Sequence, residues 1–258
     1  MGKGLSYWVY RAVRGMASLI FPKPEYIGME NVPEGPCVLV CNHAQMYGPV
    51  YAEVWLTGKR AIWCNGEMMH AKEVPGYAMS DFWGGKPAWS KWFWRIMSYV
   101  IAPIAASVFS NANCIGVYRD ARLKDTFRES LEALGEGARV VIFPDCYTPH
   151  NEIIYEFQDR FIALGRMYHR QTGQSLAFVP MYAAPTIRKV VIGQPIFYDG
   201  AAKPDEERAR ICDRLMEDVT ALAKTLPRHR VIPFPNLPKR EWNWSLPEGR
   251  ENEGRNRG

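Results

Sequence analysis

His43 is the residue of this sequence best placed to do chemistry. It directly follows the apolar run Cys37-Val38-Leu39-Val40-Cys41, and Asp145 follows a second run, Val140-Val141-Ile142-Phe143. Short continuous apolar runs bounded by turn residues mark buried strands, and in open α/β sheets active sites gather at the carboxyl ends of strands. A histidine and a carboxylate therefore stand at two such ends. The plain alternative for His43 is a hydrogen-bonded histidine closing a strand. Cys146, next to Asp145, opens a Cys–His nucleophilic reading. A zinc site on Cys41, His43 and Cys64 lacks the paired spacing of zinc modules. His70, His150, His169 and His229 show no partner pattern, and Gly193-Gln194-Pro195 reads as a turn because the glycine spacing of a phosphate loop is absent.

The elements that would position these residues alternate between strand and helix. Pro33-Glu34-Gly35-Pro36 is a turn before the first buried run, and Pro49 suits a first helical position, with Val50, Val54 and Leu56 continuing an apolar face. Ala61–Cys64 and Cys114–Tyr118 are further candidate strands. Leu123, Phe127, Leu131 and Leu134 mark a helix face closed by Gly135 and Gly137, and Ile162–Tyr168 falls in another helix. Ala177–Tyr182 and Val190–Ile192 follow as strands. Ile211, Leu215, Met216, Val219 and Leu222 define a last helix stopped by Pro227. The fold class read from this order is α/β: a mixed, largely parallel sheet covered by helices, preceded by an N-terminal amphipathic helix. No linker or repeat divides it. The boundaries read as an amphipathic helix over residues 1–22, one domain over 23–230 and a mobile charged tail over 231–258.

The N-terminal stretch places Leu5, Trp8, Val9, Ala12, Val13, Met16 and Leu19-Ile20 at helical spacing beside Lys3, Arg11 and Arg14. That pattern fits a helix lying at a membrane interface, or one packed on its own domain. A second apolar stretch, Ile96–Phe109, follows Trp89, Trp92, Phe93 and Trp94. It is shorter than the roughly 20 residues of a span and is interrupted by Pro103, so a buried or shallowly inserted hairpin beneath an aromatic belt is expected and a crossing is not. The net charge of +5 is mild, and there is no basic stripe with interleaved aromatics, which argues against nucleic acid. A mild excess suits an anionic membrane surface or a phosphate-bearing substrate. Six cysteines without CxxC pairs read as reduced thiols of a cytosolic setting.

Taken in order, Gly28–Pro36, a strand, Asn42-His43, then Ile115-Gly116-Val117-Tyr118-Arg119, then Phe143-Pro144-Asp145 and Phe178-Val179-Pro180-Met181 resemble the glycerolipid acyltransferase family, over roughly residues 20 to 226. The resemblance implies that His43 is the general base for an acceptor hydroxyl, which attacks an acyl thioester directly. It implies that Asn42, Arg119 and Asp145 bind substrate, Arg119 through a guanidinium fork on a phosphate. Phe178–Met181 would line the acyl pocket. The family's first block is NH-x4-D, its aspartate fixing the tautomer of the histidine; here that position is Gly48. Loss of an orienting carboxylate from a related triad costs about 10⁴ in rate. Glu53, Asp81 or Asp145 could replace it, or Gln45 or Tyr47 by hydrogen bonding. The third block, FPEGTR in the family, reads Phe143-Pro144-Asp145-Cys146-Tyr147-Thr148 here and lacks the arginine.

The function this implies is transfer of a fatty acyl group from acyl-CoA or acyl carrier protein to a hydroxyl of a lysophospholipid- or glycerol-phosphate-like acceptor. The enzyme would act in phospholipid biosynthesis, in the cytoplasm, peripherally on the inner face of a membrane. No metal or prosthetic group is implied, and the thioester is a co-substrate. The alternative is a catalytically weak or inactive lipid-binding protein on the same fold, for which Gly48 is the argument.

Overall fold

The structure, a computed structural model, describes residues 4–246. From the N-terminus the elements are α1 (Leu5–Ile20), β1 (Glu25–Ile27), β2 (Cys37–Cys41), α2 (Tyr47–Val54), β3 (Arg60–Asn65), α3 (Val74–Ser80), α4 (Lys91–Asn111) and β4 (Cys114–Val117). There follow α5 (Leu123–Gly135), β5 (Arg139–Ile142), β6 (Asp145–Pro149), β7 (Tyr155–Phe157), α6 (Ala163–Thr172), β8 (Ala177–Ala184), β9 (Lys189–Ile192), β10 (Ile196–Phe197) and α7 (Pro204–Thr225). Packing divides the chain into two compact units where the sequence suggests one domain over 23–230. The first unit takes the chain up to Ile20 with Ala61–Ser130; the second takes Phe21–Arg60 and the chain from Leu131 onward.

The second unit holds a mixed, mostly parallel sheet in the order β1-β9-β8-β2-β5, with β10 beside β8. β2 is central, parallel to both β8 and β5, and each of its five residues is buried. A strand covered on both faces has no solvent side, which is why its sequence is a continuous apolar run. Val40 lies opposite Ile142 and Cys41 opposite Met181. This register carries the carboxyl ends of β2 and β5 to the same edge of the sheet, so His43 and Asp145 leave it side by side. α7 packs on β8 and buries Ile211, Leu215 and Val219, each contributing about 1.5–3 kcal/mol relative to an exposed position. Pro204 at its first turn, followed by Asp205, Glu206 and Glu207, suits the free N–H groups and positive end of a helix. β6 and β7 pair antiparallel as a separate hairpin.

Residues 231–246 are packed, which corrects the expectation of a mobile tail beginning at 231. Val231, Ile232 and Ser245 are buried, Val231 N–H bonds Asn243 O at 2.9 Å, and Ser245 N–H bonds His229 O at 3.0 Å. The apolar run Val231-Ile232-Pro233-Phe234 and the indole of Trp244, held between Arg228 and Arg230 at 4.0 and 4.2 Å, give this segment anchors that an average over its charged residues conceals. The rest of the expected tail, 247–258, lies outside the described residues.

In the first unit β3 and β4 pair in parallel, and α1 packs on α4. α1 forms where its period predicts, yet none of its residues is buried. α4 corrects the expected hairpin: it is one helix of 21 residues running through Pro103. A proline removes one helical N–H and crowds the preceding turn, yet the helix continues on both sides of it. The helical stretch Ala88–Asn111 is long and apolar enough to cross a membrane, and 11% of its most apolar window is buried.

Candidate active site

β2 delivers Asn42 and His43 to the sheet edge, and the chain must turn there to start α2. It does so through two consecutive non-glycine residues in the left-handed region, Ala44 at φ 45° and Gln45 at φ 55°. Such residues cost about 1–3 kcal/mol each and persist where surrounding contacts fix them. Here those contacts are Tyr47 N–H on Ala44 O at 3.1 Å, Gly48 N–H on His43 O at 3.0 Å, and the buried Ala44 methyl. The turn brings the Gln45 carbonyl back onto Nδ1 of the His43 ring in a hydrogen bond. The ring is half-buried, with Phe143 and Phe234 edge-on to it, each centroid 5.4 Å away.

Asp145 and Asn42, expected to meet the substrate, are both engaged inside the protein. The Asp145 carboxylate is buried and its Oδ2 accepts the main-chain N–H of His43 at 2.8 Å. Burial pushes its pKa up to about 7, with the hydrogen bonds from His43 N–H and from its own N–H pulling the other way. Asn42 is buried; its Oδ1 accepts Ala183 N–H at 2.7 Å and its amide donates to Ala183 O at 3.2 Å, clasping β8 to the end of β2. These two side chains fix the backbone on either side of His43.

Gly48 is a steric requirement. A Cβ there would lie 2.7 Å from His43 O, 2.8 Å from Asn42 O and 2.8 Å from the Phe143 ring. Contacts below 3.0 Å to main-chain oxygen cannot be relieved by a rotamer change, so an aspartate does not fit this turn. Glu53, a possible replacement, pairs with Arg60 at 3.3 Å. Asp81 is in the first unit, where it accepts the Tyr77 hydroxyl at 2.9 Å. Tyr47 stacks edge-on between Phe21 and Tyr51.

Arg119 is in the first unit, exposed and two residues past β4. Its neighbour Arg122 is tied to Asp120 and Glu73 and lies over the Tyr118 ring at 4.1 Å, whereas Arg119 has no ion pair among the described residues. A Cβ at Gly66 would meet the Tyr118 ring at 2.2 Å, and one at Gly116 would meet the Tyr118 hydroxyl at 2.8 Å and Met69 Sδ at 2.9 Å. Phe178 and Val179 are fully buried core residues. Met181 and Ala183 border a cavity of about 10 Å³ with Tyr26, Cys41, Tyr51 and Phe143. That is the space of a single water.

Three participants escaped the sequence reading: Phe143, Phe234 and the main chain of Gln45. Phe234 also touches Tyr147 at 5.0 Å, and the Gln45 side chain donates to Pro235 O at 3.4 Å. The signal for Phe234 was present, since Val231–Pro235 is an apolar run between prolines. Among the described residues no group of three or more His, Cys, Asp or Glu side chains is arranged to hold a metal. No family model matches the sequence, and no curated protein matches it. Among solved structures, the chain is similar to the crystal structure of the 1-acyl-sn-glycerophosphate (LPA) acyltransferase PlsC from Thermotoga maritima. The likeness covers 84% of this chain and 81% of that one, at 15% identity and a TM-score of 0.44.

Proposed function

We propose that this protein is an acyltransferase that moves a fatty acyl group from a thioester to a hydroxyl of a lysophospholipid- or glycerol-phosphate-like acceptor, with His43 as general base. The observation that carries the reading is the Asn42-His43 turn at the carboxyl end of β2. It holds a half-buried imidazole between two phenyl rings and is braced by Asn42 and Asp145 through the backbone. In the proposed step His43 takes the proton of the acceptor hydroxyl as its oxygen attacks the thioester carbonyl. The carbon–sulfur bond breaks, an ester forms, and the proton leaves with the thiol. The donor is acyl-CoA or an acyl carrier protein, and the chemistry calls for no metal or prosthetic group.

Arg119 is the group suited to an acceptor phosphate, because it is exposed and has no ion pair among the described residues while Arg122 is neutralised. A membrane surface is the proposed partner, met from the cytoplasmic side. Its support is the apolar exposure of the first unit: Leu5, Trp8, Met16 and Leu19 on α1, with Trp92, Ile96 and Tyr99 on α4. A water-facing stripe of this kind is costly unless something apolar covers it. One observation favours the rival reading of a lipid-binding protein without turnover: the turn at Gly48 excludes the carboxylate of the motif.

The test is incubation of purified protein with radiolabelled acyl thioesters and a panel of lyso-lipids, alongside His43→Ala and Cys146→Ala. The proposal predicts ester formation that His43→Ala abolishes and Cys146→Ala spares. Lipid binding without turnover would favour the rival, and loss of turnover in Cys146→Ala alone would favour a thiol nucleophile.

A further inference from the structure

The motif that His43 belongs to relies on a carboxylate to orient its imidazole, and the Gly48 turn has no room for one. We infer that the main-chain carbonyl of Gln45 is the positioning group that replaces it, holding His43 in the tautomer a general base requires. The inference rests on the reading of His43 as the base. A carbonyl oxygen can only accept, so the nitrogen facing it, Nδ1, must carry the proton, and in the neutral ring the lone pair then sits on Nε2. That is the proton distribution an aspartate imposes on a triad histidine. The two groups differ in charge. A carbonyl dipole selects the tautomer but stabilises the imidazolium formed during proton transfer less than a carboxylate does.

The device is built from the main chain, and its construction is visible in the turn. An ordinary turn would direct the Gln45 carbonyl elsewhere; two successive left-handed residues, φ 45° and 55°, swing it onto the ring. The arrangement is over-determined. Asp145 fixes the His43 N–H, Gly48 N–H fixes the His43 carbonyl, Tyr47 N–H fixes the Ala44 carbonyl, and the Gln45 side chain reaches Pro235 O. Gly48 belongs to the same device, since any Cβ there would collide with His43 O and Asn42 O. Replacement of aspartate by glycine and adoption of a main-chain orienter are two aspects of one geometry.

The inference is tested by ¹⁵N NMR of protein labelled at histidine, the His43 signals assigned by their loss in His43→Gln. A protonated Nδ1 and an unprotonated Nε2 in the neutral state are expected; the opposite tautomer would overturn the inference. Gln45→Gly keeps the carbonyl and accepts the left-handed conformation, so it should keep the tautomer. Gln45→Val resists that conformation. It should mix the tautomers and lower kcat about tenfold or more, toward the roughly 10⁴-fold loss of a triad histidine in the wrong tautomer. Loss of the tautomer in Gln45→Gly would show that the side chain, not the carbonyl, is responsible and would overturn the inference. Should Gln45→Val fail to fold, the wild-type spectrum and Gln45→Gly still decide. If the tautomer is as expected but no acyl transfer is found with any acceptor, the positioning role stands and the proposed function falls.

Discussion

Gly48 and Asp145 are the positions where single substitutions discriminate most. Restoring the motif by Gly48→Asp should fail, because the new side chain collides with two main-chain oxygens and the Phe143 ring. Overpacking of this kind costs about 1–3 kcal/mol, so chemical denaturation should show a loss of that size and acyl transfer should fall. Asp145 yields a pH prediction. Its pKa is about 7 in the fold and near the ordinary carboxylate value when unfolded, so the folded state holds the proton more tightly. Its contribution is fully present below about pH 4 and is lost as pH rises through 7. Asp145→Asn keeps an oxygen for the His43 N–H while removing the titration. The stability read by denaturation from pH 4 to 8 should decline less steeply in that variant than in the wild type. A sequence comparison locates Gly48 as a departure but does not explain it; the explanation lies in distances to carbonyl oxygens that no residue letter encodes.

The 227–246 segment is the element that sequence reading described least well and the one that adds most to the site. Its base is a buried neutral histidine. His229 Nδ1 lies 2.8 Å from Pro227 O and 3.1 Å from Ser245 Oγ, and Nε2 receives the Tyr182 hydroxyl at 3.0 Å. Burial lowers the His229 pKa, so its contribution is present above about 6.5 and is lost as pH falls through the lowered value. Hydrogen exchange of residues 229–245 should accelerate on acidification through that range, and His229→Gln should remove the dependence. Phe234→Ala removes a ring that packs on His43, Tyr147 and Tyr155. A loss of about 3–5 kcal/mol would indicate a core role; a smaller loss with a marked change in acyl transfer is expected of a half-exposed ring over the site. The buried strands and α7 were legible because a two-sided core demands unbroken apolar runs and a helix an apolar stripe at its own period. The hairpin expected at 96–109 and the tail expected from 231 were misjudged for a shared reason. Each rests on a strong local signal, Pro103 or the charges of the tail: the helix runs on through the first, and the burial of Val231 and Ile232 outweighs the second.

At the scale of the whole molecule the chain divides into two compact units, and residues with proposed roles occur in both: His43 with its bracing groups in the second, Arg119 and the apolar helices in the first. The fold class was readable from strand–helix alternation, but the division was not, because no linker composition marks Ile20 or Arg60. α1 and α4 bear the prediction at this scale. Vesicles containing anionic lipid should sediment the protein, and Leu5→Ser with Trp8→Ser and Trp92→Ser should weaken that binding by tenfold or more, since each apolar side chain removed forfeits about 1.5–3 kcal/mol of burial. Unchanged sedimentation would remove the membrane from the proposal while leaving the chemistry of His43 untouched. That chemistry is tested most directly by the rate of ester formation from a labelled acyl thioester and a lysophospholipid, comparing wild type with His43→Gln. The account predicts turnover in the wild type and a loss of about 10²-fold or more in the variant, the contribution of a positioned base; equal turnover in the two proteins would contradict it.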